Sequence, residues 1–173
     1  WVAITDNADP MNVIVYRRER GYPSKREICR QPVFEKGASA TDNSLVGAGH
    51  SLLVENNYGY TGPLSTMNGE RTSPGLERVD IDADGVGCRK VWHSDEIAPT
   101  VVPKLSLGNG LFYTYTLAPD DEDDPWYLTA IDFNSGRTVW KRLVGQGFGF
   151  NNNYAPISIG PDGTAYIGVL GGL

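Results

Sequence analysis

Carboxylate, amide and phenol side chains follow several predicted strands directly, at positions where their oxygens could meet a ligand. The candidate binding residues are Asp6, Asn7, Glu55, Asn56, Asn57, Tyr58, Asn152 and Asn153. Groups of this kind suit a cation, a sugar or a polar peptide. Asp6 and Glu55 follow equivalent strands, so the two carboxylates could share a metal ion, or one could act as a base. The competing interpretation is that these residues are polar only because loops are exposed.

A second candidate site is the turn sequence Asp80-Ile-Asp82-Ala-Asp84-Gly85. Three carboxylates at alternate positions can converge on one hard cation, and their spacing matches the start of a calcium loop. The glutamate that usually occupies the twelfth position of such a loop is replaced by Val91. Calcium at Asp80, Asp82 and Asp84 is the one cofactor prediction. The alternative is a structural role for these carboxylates in the turn.

The elements that position these residues are predicted to be strands. The chain has 173 residues, of which 21 are glycine and 11 are proline, and both residue types disfavour helix interiors. Segments rich in β-branched and aromatic residues, such as 11–17 and 111–116, alternate with turn sequences such as Asn134-Ser135-Gly136. No window shows helical periodicity. The sequence therefore predicts an all-β protein.

A four-strand unit recurs along the chain, and its last strand ends in an aromatic residue at Phe34, Trp92 and Trp140. Such repeats are typical of β-propeller blades. The predicted blades are 1–36 (incomplete), 37–94, 95–143 and 144–173 (incomplete). Propellers contain about 4 to 8 blades, whereas these amount to about three. The sequence therefore predicts a partial propeller, the C-terminal part of a longer chain, whose remaining N-terminal part is its first partner.

The clearest copy of the repeat is Ala130-Ile-Asp-Phe-Asn-Ser-Gly-Arg-Thr-Val-Trp140. It resembles the repeat of pyrroloquinoline-quinone-like (quinoprotein alcohol dehydrogenase-like) propellers, in which Asp132 would cap turn amides, Gly136 would take a positive φ and Trp140 would pack between blades. Some members of that family are quinone-dependent dehydrogenases with a vicinal cysteine pair, which this sequence lacks. Others are non-catalytic scaffolds that bind proteins. The resemblance implies a bacterial protein that is secreted or periplasmic.

Charge and cysteine content reduce the number of function classes that are expected. The net charge is −6, so a basic nucleic-acid-binding surface is not expected. The basic residues near the start, Arg17 and Arg18 among them, are interpreted as a solvated turn. No apolar stretch is long enough to span a membrane. Cys29 and Cys88 are compatible with one disulfide in an oxidising compartment or with two buried thiols.

These observations predict a non-catalytic domain that binds a small polar ligand or a protein at the rim of the propeller. The alternative is an enzyme that uses the rim carboxylates: a quinone- or calcium-dependent oxidoreductase, or a hydrolase. Its catalytic set would be completed by the N-terminal part, and the spacing of residues in this sequence identifies no catalytic residue.

Overall fold

The computed structural model describes residues 1–18, 26–42, 45–118 and 121–173. In these ranges the chain is all-β, as predicted, and its only helical segments are two 3-10 helices, Pro63–Thr66 and Phe148–Phe150. Gly62 and Pro63 set the start of the first of these, because proline is tolerated in the first helical turn. None of the helices in the described ranges is long and apolar enough to cross a membrane.

The strands form four antiparallel sheets, and within each sheet the spatial order follows the chain. Sheet 1 contains β1 (Val2–Thr5), β2 (Asn12–Tyr16) and β3 (Glu27–Pro32). Sheet 2 contains β4 (Val46–Ala48), β5 (Ser51–Glu55), β6 (Leu76–Ile81) and β7 (Cys88–Ser94). Sheet 3 contains β8 (Lys104–Ser106), β9 (Leu111–Leu117), β10 (Pro125–Asp132) and β11 (Thr138–Gln146). Sheet 4 contains β12 (Ile157–Ile159) and β13 (Ala165–Ile167).

Each pair of consecutive sheets encloses a separate apolar core. Val13 and Val79 belong to the core between sheets 1 and 2, and Leu53 and Phe112 to the core between sheets 2 and 3. The third core, between sheets 3 and 4, contains Trp126 and Ile157. Sheet 3 contributes to two cores because successive side chains of a strand point to opposite faces of the sheet. The sheets therefore stack face to face in chain order, and within the described ranges they do not close into a ring.

The turn between β10 and β11 shows why the repeat motif has its residue types. Asp132 accepts hydrogen bonds from the backbone N and the hydroxyl of Ser135, both at 2.7 Å. Gly136 has a φ of 72°, a conformation that favours glycine. A Cβ atom at Gly136 would lie 2.6 Å from the Trp92 ring of sheet 2. The expected turn roles of Asp132 and Gly136 are confirmed, and the turn also packs against the neighbouring sheet.

Cys29 and Cys88 form a disulfide. It joins β3 to β7, which are the last strands of sheets 1 and 2. The first of the two alternatives left open by the sequence is therefore the correct one, and the junction between these sheets has a covalent link in addition to its apolar core.

Candidate functional site

The strand register places the long loops of each sheet at one end. Glu55 pairs with Leu76, and Leu76 pairs with Ser94, so the loops that follow β5 and β7 leave sheet 2 at the same end of its strands. The same relation holds in sheet 3, where Pro125 pairs with Gln146. We call the surface formed by these loops the loop face. Its described residues are 6–11, 33–42, 56–75, 95–103, 121–124 and 147–156.

Buried amide side chains connect the loops of the loop face to one another. Asn56 Oδ1 accepts from the backbone N of Ala40 and Tyr58, and its Nδ2 donates to the carbonyls of Ala38 and Pro74. Three of the predicted binding residues therefore anchor loops: Asn56, Asn57, whose Oδ1 accepts from Asp42 N, and Asn152, which bonds Thr100. The Nδ2 of Asn57 is buried without a hydrogen-bond partner among the described residues.

A cluster of two tyrosines lies where the loops after β5 and β11 meet. The Tyr60 hydroxyl donates to Asn153 Oδ1 at 2.8 Å, the Tyr154 hydroxyl donates to Asp42 Oδ2 at 3.0 Å, and the two ring centroids are 4.2 Å apart. Burial raises the pKa of both hydroxyls, and for Tyr154 the Asp42 carboxylate and the buried Glu55 add to the effect. Both phenols therefore stay neutral donors, and Asn153 belongs to this cluster through Tyr60.

Asp6 lies in a polar cluster with residues of sheet 1. Its carboxylate accepts from Asn12 and pairs with Arg30 at 2.8 Å, so it is held by residues of sheet 1. Burial alone would raise the pKa of Asp6, but the hydrogen bonds from Asn12 and Ala8 together with Arg30 hold it below its usual value. Asn7 and Tyr58 are exposed. The described contacts of Asp6 are therefore with residues of sheet 1, and a metal ion shared by Asp6 and Glu55 stays a prediction.

The loop face contains a cleft between the loop that follows β3 and the edge of sheet 2, with a volume of about 280 Å³. We call it the first cleft, and its lining residues are Phe34, Glu35, Ala38, Asn56, Ser73, Pro74, His93 and Asp95. A second cleft of about 320 Å³ occupies the corresponding junction between sheets 2 and 3, where Glu96 and Lys141 are among the lining residues. The clefts therefore repeat with the sheets, while their side chains differ.

The buried carboxylate of Glu77 lies behind the first cleft. Its Oε1 accepts from Phe34 N at 3.1 Å and from Lys90 Nζ at 2.8 Å, and it lies 2.8 Å from His93 Nδ1. The Glu77 side chain is only 1% exposed, whereas Lys90 and His93 are 36% and 38% exposed. His93 therefore joins the cleft to a buried carboxylate between sheets 1 and 2.

The three carboxylates of the predicted calcium loop have separate partners. Asp80 accepts two hydrogen bonds from Arg78, at 2.8 and 2.9 Å, and Asp82 pairs with Arg89 at 2.6 Å. Asp84 Oδ1 accepts from Val86 N, which is a local turn contact. Among the residues that the structure describes, no group of three or more histidine, cysteine, aspartate or glutamate side chains could hold a metal ion. These contacts favour the structural role over the calcium site.

Arg78 connects the Asp80 carboxylate to the next sheet, because it also donates to the carbonyl of Phe133 and covers the Phe133 ring at 4.2 Å. Burial alone would raise the pKa of Asp80, but hydrogen bonds from Arg78 and Ser51 and the positive charges of Arg78 and Arg89 keep it below the ordinary value of 3.8. Ionised Asp80 therefore stabilises the fold above about pH 4, and this contribution is lost as pH falls through the lowered pKa.

We expect the Asp80→Asn variant to be less stable than the wild type at pH 7 by about 1 to 2 kcal/mol, because Arg78 loses a charged acceptor. The difference should shrink between pH 5 and pH 2, since protonation removes the same contribution from the wild type. Urea unfolding at several pH values measures both effects. Glu122→Gln, at an exposed position, is the matched control, and an equal pH dependence in both variants would contradict the assignment.

Three residues were not singled out from the sequence, namely Asp42 and Tyr154 of the loop face and Glu77 behind the first cleft. The available signal for Glu77 is a glutamate next to Leu76 in a predicted strand, with histidine and lysine on the strand that follows. Asp42 and Tyr154 are separated by 112 residues, so no local spacing connects them.

Comparison with known proteins adds one relative. No family model matches the chain. An uncharacterized protein of Archaeoglobus fulgidus is 28% identical to it over 198 aligned residues. The alignment covers the whole of this chain and 38% of that protein, so the chain spans well under half the length of its relative.

Proposed function

We propose that the four sheets are consecutive blades of a β-propeller of the pyrroloquinoline-quinone-like repeat class, with blades at 1–36, 37–94, 95–143 and 144–173. Three observations support this proposal: two four-stranded antiparallel sheets between a three-stranded and a two-stranded one, their face-to-face stacking in chain order, and the loops gathered on one face. Closing such a ring needs further sheets, and the Archaeoglobus fulgidus protein has a chain long enough to hold them.

The function that this site supports best is binding, with the first cleft taking a polar ligand that carries a cationic group. The observation that carries the proposal is the composition of the cleft: Glu35 and Asp95 line it together with His93, and Glu77 lies behind it. Carboxylates accept hydrogen bonds and attract positive charge. A lysine- or arginine-containing segment of a protein, or a small amine, provides the complementary groups.

An oxidising compartment fits this proposal, because the disulfide between Cys29 and Cys88 persists where thiols are not kept reduced. We therefore propose a secreted or periplasmic location.

The enzyme alternative rests on one specific contact, the pair formed by His93 and Glu77. A carboxylate that accepts from Nδ1 fixes the imidazole tautomer and leaves Nε2 as a proton acceptor. Ser73 lines the same cleft, so hydrolysis of an ester is the reaction to test. Turnover of p-nitrophenyl acetate that the His93→Gln variant abolishes would favour the enzyme over the binding module.

Calorimetric titration with the dipeptide lysyl-lysine tests the binding proposal. We expect saturable binding that weakens about tenfold when Glu35→Gln and Asp95→Asn are combined, because two acceptors of the cationic groups lose their charge. The control combines Glu70→Gln with Glu122→Gln, which changes the net charge equally at exposed positions outside the first cleft. Unsaturable binding, or equal weakening in both double variants, would contradict a specific site.

A further inference from the structure

A pocket separate from both clefts lies on the opposite side of the molecule from the loop face, where the hairpin turns are found. Its volume is about 380 Å³, and its lining residues are Trp1, Arg17, Arg18, His50, Ala83, Asp84 and Gly85. They come from the start of β1, the end of β2, the turn between β4 and β5 and the turn between β6 and β7. The pocket therefore spans the junction of sheets 1 and 2 at the end remote from the first cleft.

The charge of this pocket is opposite to that of the protein as a whole. Arg17, Arg18 and His50 line it against a single carboxylate, Asp84, while the net charge of the chain is −6. One oxygen of Asp84 accepts from Val86 N, so that carboxylate already has a partner in its own turn. A basic pocket on an acidic protein concentrates anions locally.

Two contacts hold the pocket walls in place. Arg17 Nη2 donates to the carbonyl of Gly85 at 2.9 Å, which ties the guanidinium to the turn of sheet 2. The Trp1 ring packs edge-on against His50, with ring centroids 4.5 Å apart and an interplanar angle of 67°. A Cβ atom at Gly85 would lie 3.7 Å from the Trp1 ring, so a side chain there would fill space beside the indole.

Basic groups of the pocket remain available to a ligand. The Arg18 and His50 side chains are exposed, and both line the pocket beside the Trp1 ring. We propose that this pocket binds a small anionic molecule whose charged group is attached to a planar ring. The guanidinium groups match the geometry of a phosphate or carboxylate, and the indole face offers a surface for the ring.

This inference goes beyond the proposed function, because the pocket shares no residue with the first cleft. It also revises the interpretation of Arg17 and Arg18 as part of a solvated turn. Arg17 is bound to a turn 68 residues away, and both arginines contribute to one concave surface with His50.

Phenyl phosphate is the probe for the test, and titration is followed by calorimetry and by the NMR signal of the Trp1 indole N–H. We expect saturable binding with a shift of that signal, weaker binding of inorganic phosphate, and none of benzyl alcohol. Arg18→Gln should weaken phenyl phosphate binding about tenfold, because a charge-assisted pair with the phosphate is lost.

Arg142→Gln is the matched control, since Arg142 is exposed on β11 and its loss changes the net charge equally. Trp1→Ala should reduce the preference for phenyl phosphate over inorganic phosphate if the ring contacts the indole. The proposal is overturned if phenyl phosphate does not saturate, or if Arg142→Gln weakens binding as much as Arg18→Gln. Equal affinity for phenyl phosphate and inorganic phosphate would overturn the role assigned to the ring.

Discussion

The Glu77→Ala variant is expected to lose about 3 kcal/mol of unfolding free energy relative to the wild type. The Glu77 carboxylate is 1% exposed and is the acceptor for the buried backbone N–H of Phe34. Alanine leaves that N–H without its acceptor and creates a cavity between sheets 1 and 2. Lys90 and His93 contribute less to the loss, because both are more than one-third exposed and water can replace the carboxylate at their charged ends.

Three further variants separate these contributions in urea unfolding. Glu77→Gln keeps the side-chain volume and an acceptor for Phe34 N, so we expect a loss of about 1 kcal/mol. Lys90→Met should cost less than Glu77→Ala, since it removes only the half-exposed partner. Glu70→Ala, at an exposed position, is the control. If Glu77→Ala were no more destabilising than Glu70→Ala, the carboxylate could not be a structural link between the two sheets.

The strands and turns of this protein were predictable because their signals are local. Gly136 needs a positive φ and Asp132 binds amides three residues away, so both roles are encoded within one turn. The continuous apolar run Leu52, Leu53 and Val54 predicts a strand that is buried on both faces. The stacking of sheets in chain order follows from the repeat, since each unit must cover the apolar face of the one before it.

The polar contacts of the loop face were not predictable to the same degree, because they join residues that are distant in sequence. Asn56 and Asn152 are of a residue type that is common in binding sites, yet their amides donate hydrogen bonds to neighbouring loops. Only three-dimensional placement distinguishes an amide that anchors a loop from one that meets a ligand. The same holds for Asp80. Its spacing with Asp82 suits calcium, but in the structure its carboxylate is paired with the Arg78 guanidinium.

Glu77 and the disulfide act on the same junction in different ways. Glu77 fixes the geometry of sheets 1 and 2 in the folded state through directional hydrogen bonds. The bond between Cys29 and Cys88 acts mainly on the unfolded chain, because it closes a loop over a sequence separation of 59 residues. The two links therefore predict distinguishable effects.

Removing the disulfide with Cys29→Ala and Cys88→Ala is expected to lower the unfolding free energy by about 4 kcal/mol, the loop entropy for this separation. Urea unfolding with and without dithiothreitol measures the effect: the reductant should destabilise the wild type by a similar amount and leave the double variant unchanged. A wild type insensitive to reductant under conditions that cleave the bond would contradict this account.

Hydrogen exchange identifies the strands that lose stability when the disulfide is removed. Without the disulfide, sheet 1 is held against sheet 2 by non-covalent contacts alone, which include the apolar core, the Glu77 contacts and the hydrogen bond from Arg17 to Gly85, so its amides should open at a lower free energy than before. The amides of β9 and β10, whose core lies between sheets 2, 3 and 4, should open with the global unfolding. Because the bond joins the last strands of sheets 1 and 2, selective loss of protection in β2 and β3 is the expected signature of its role. Uniform loss across β2, β3, β9 and β10 would instead show that the four sheets unfold as one unit.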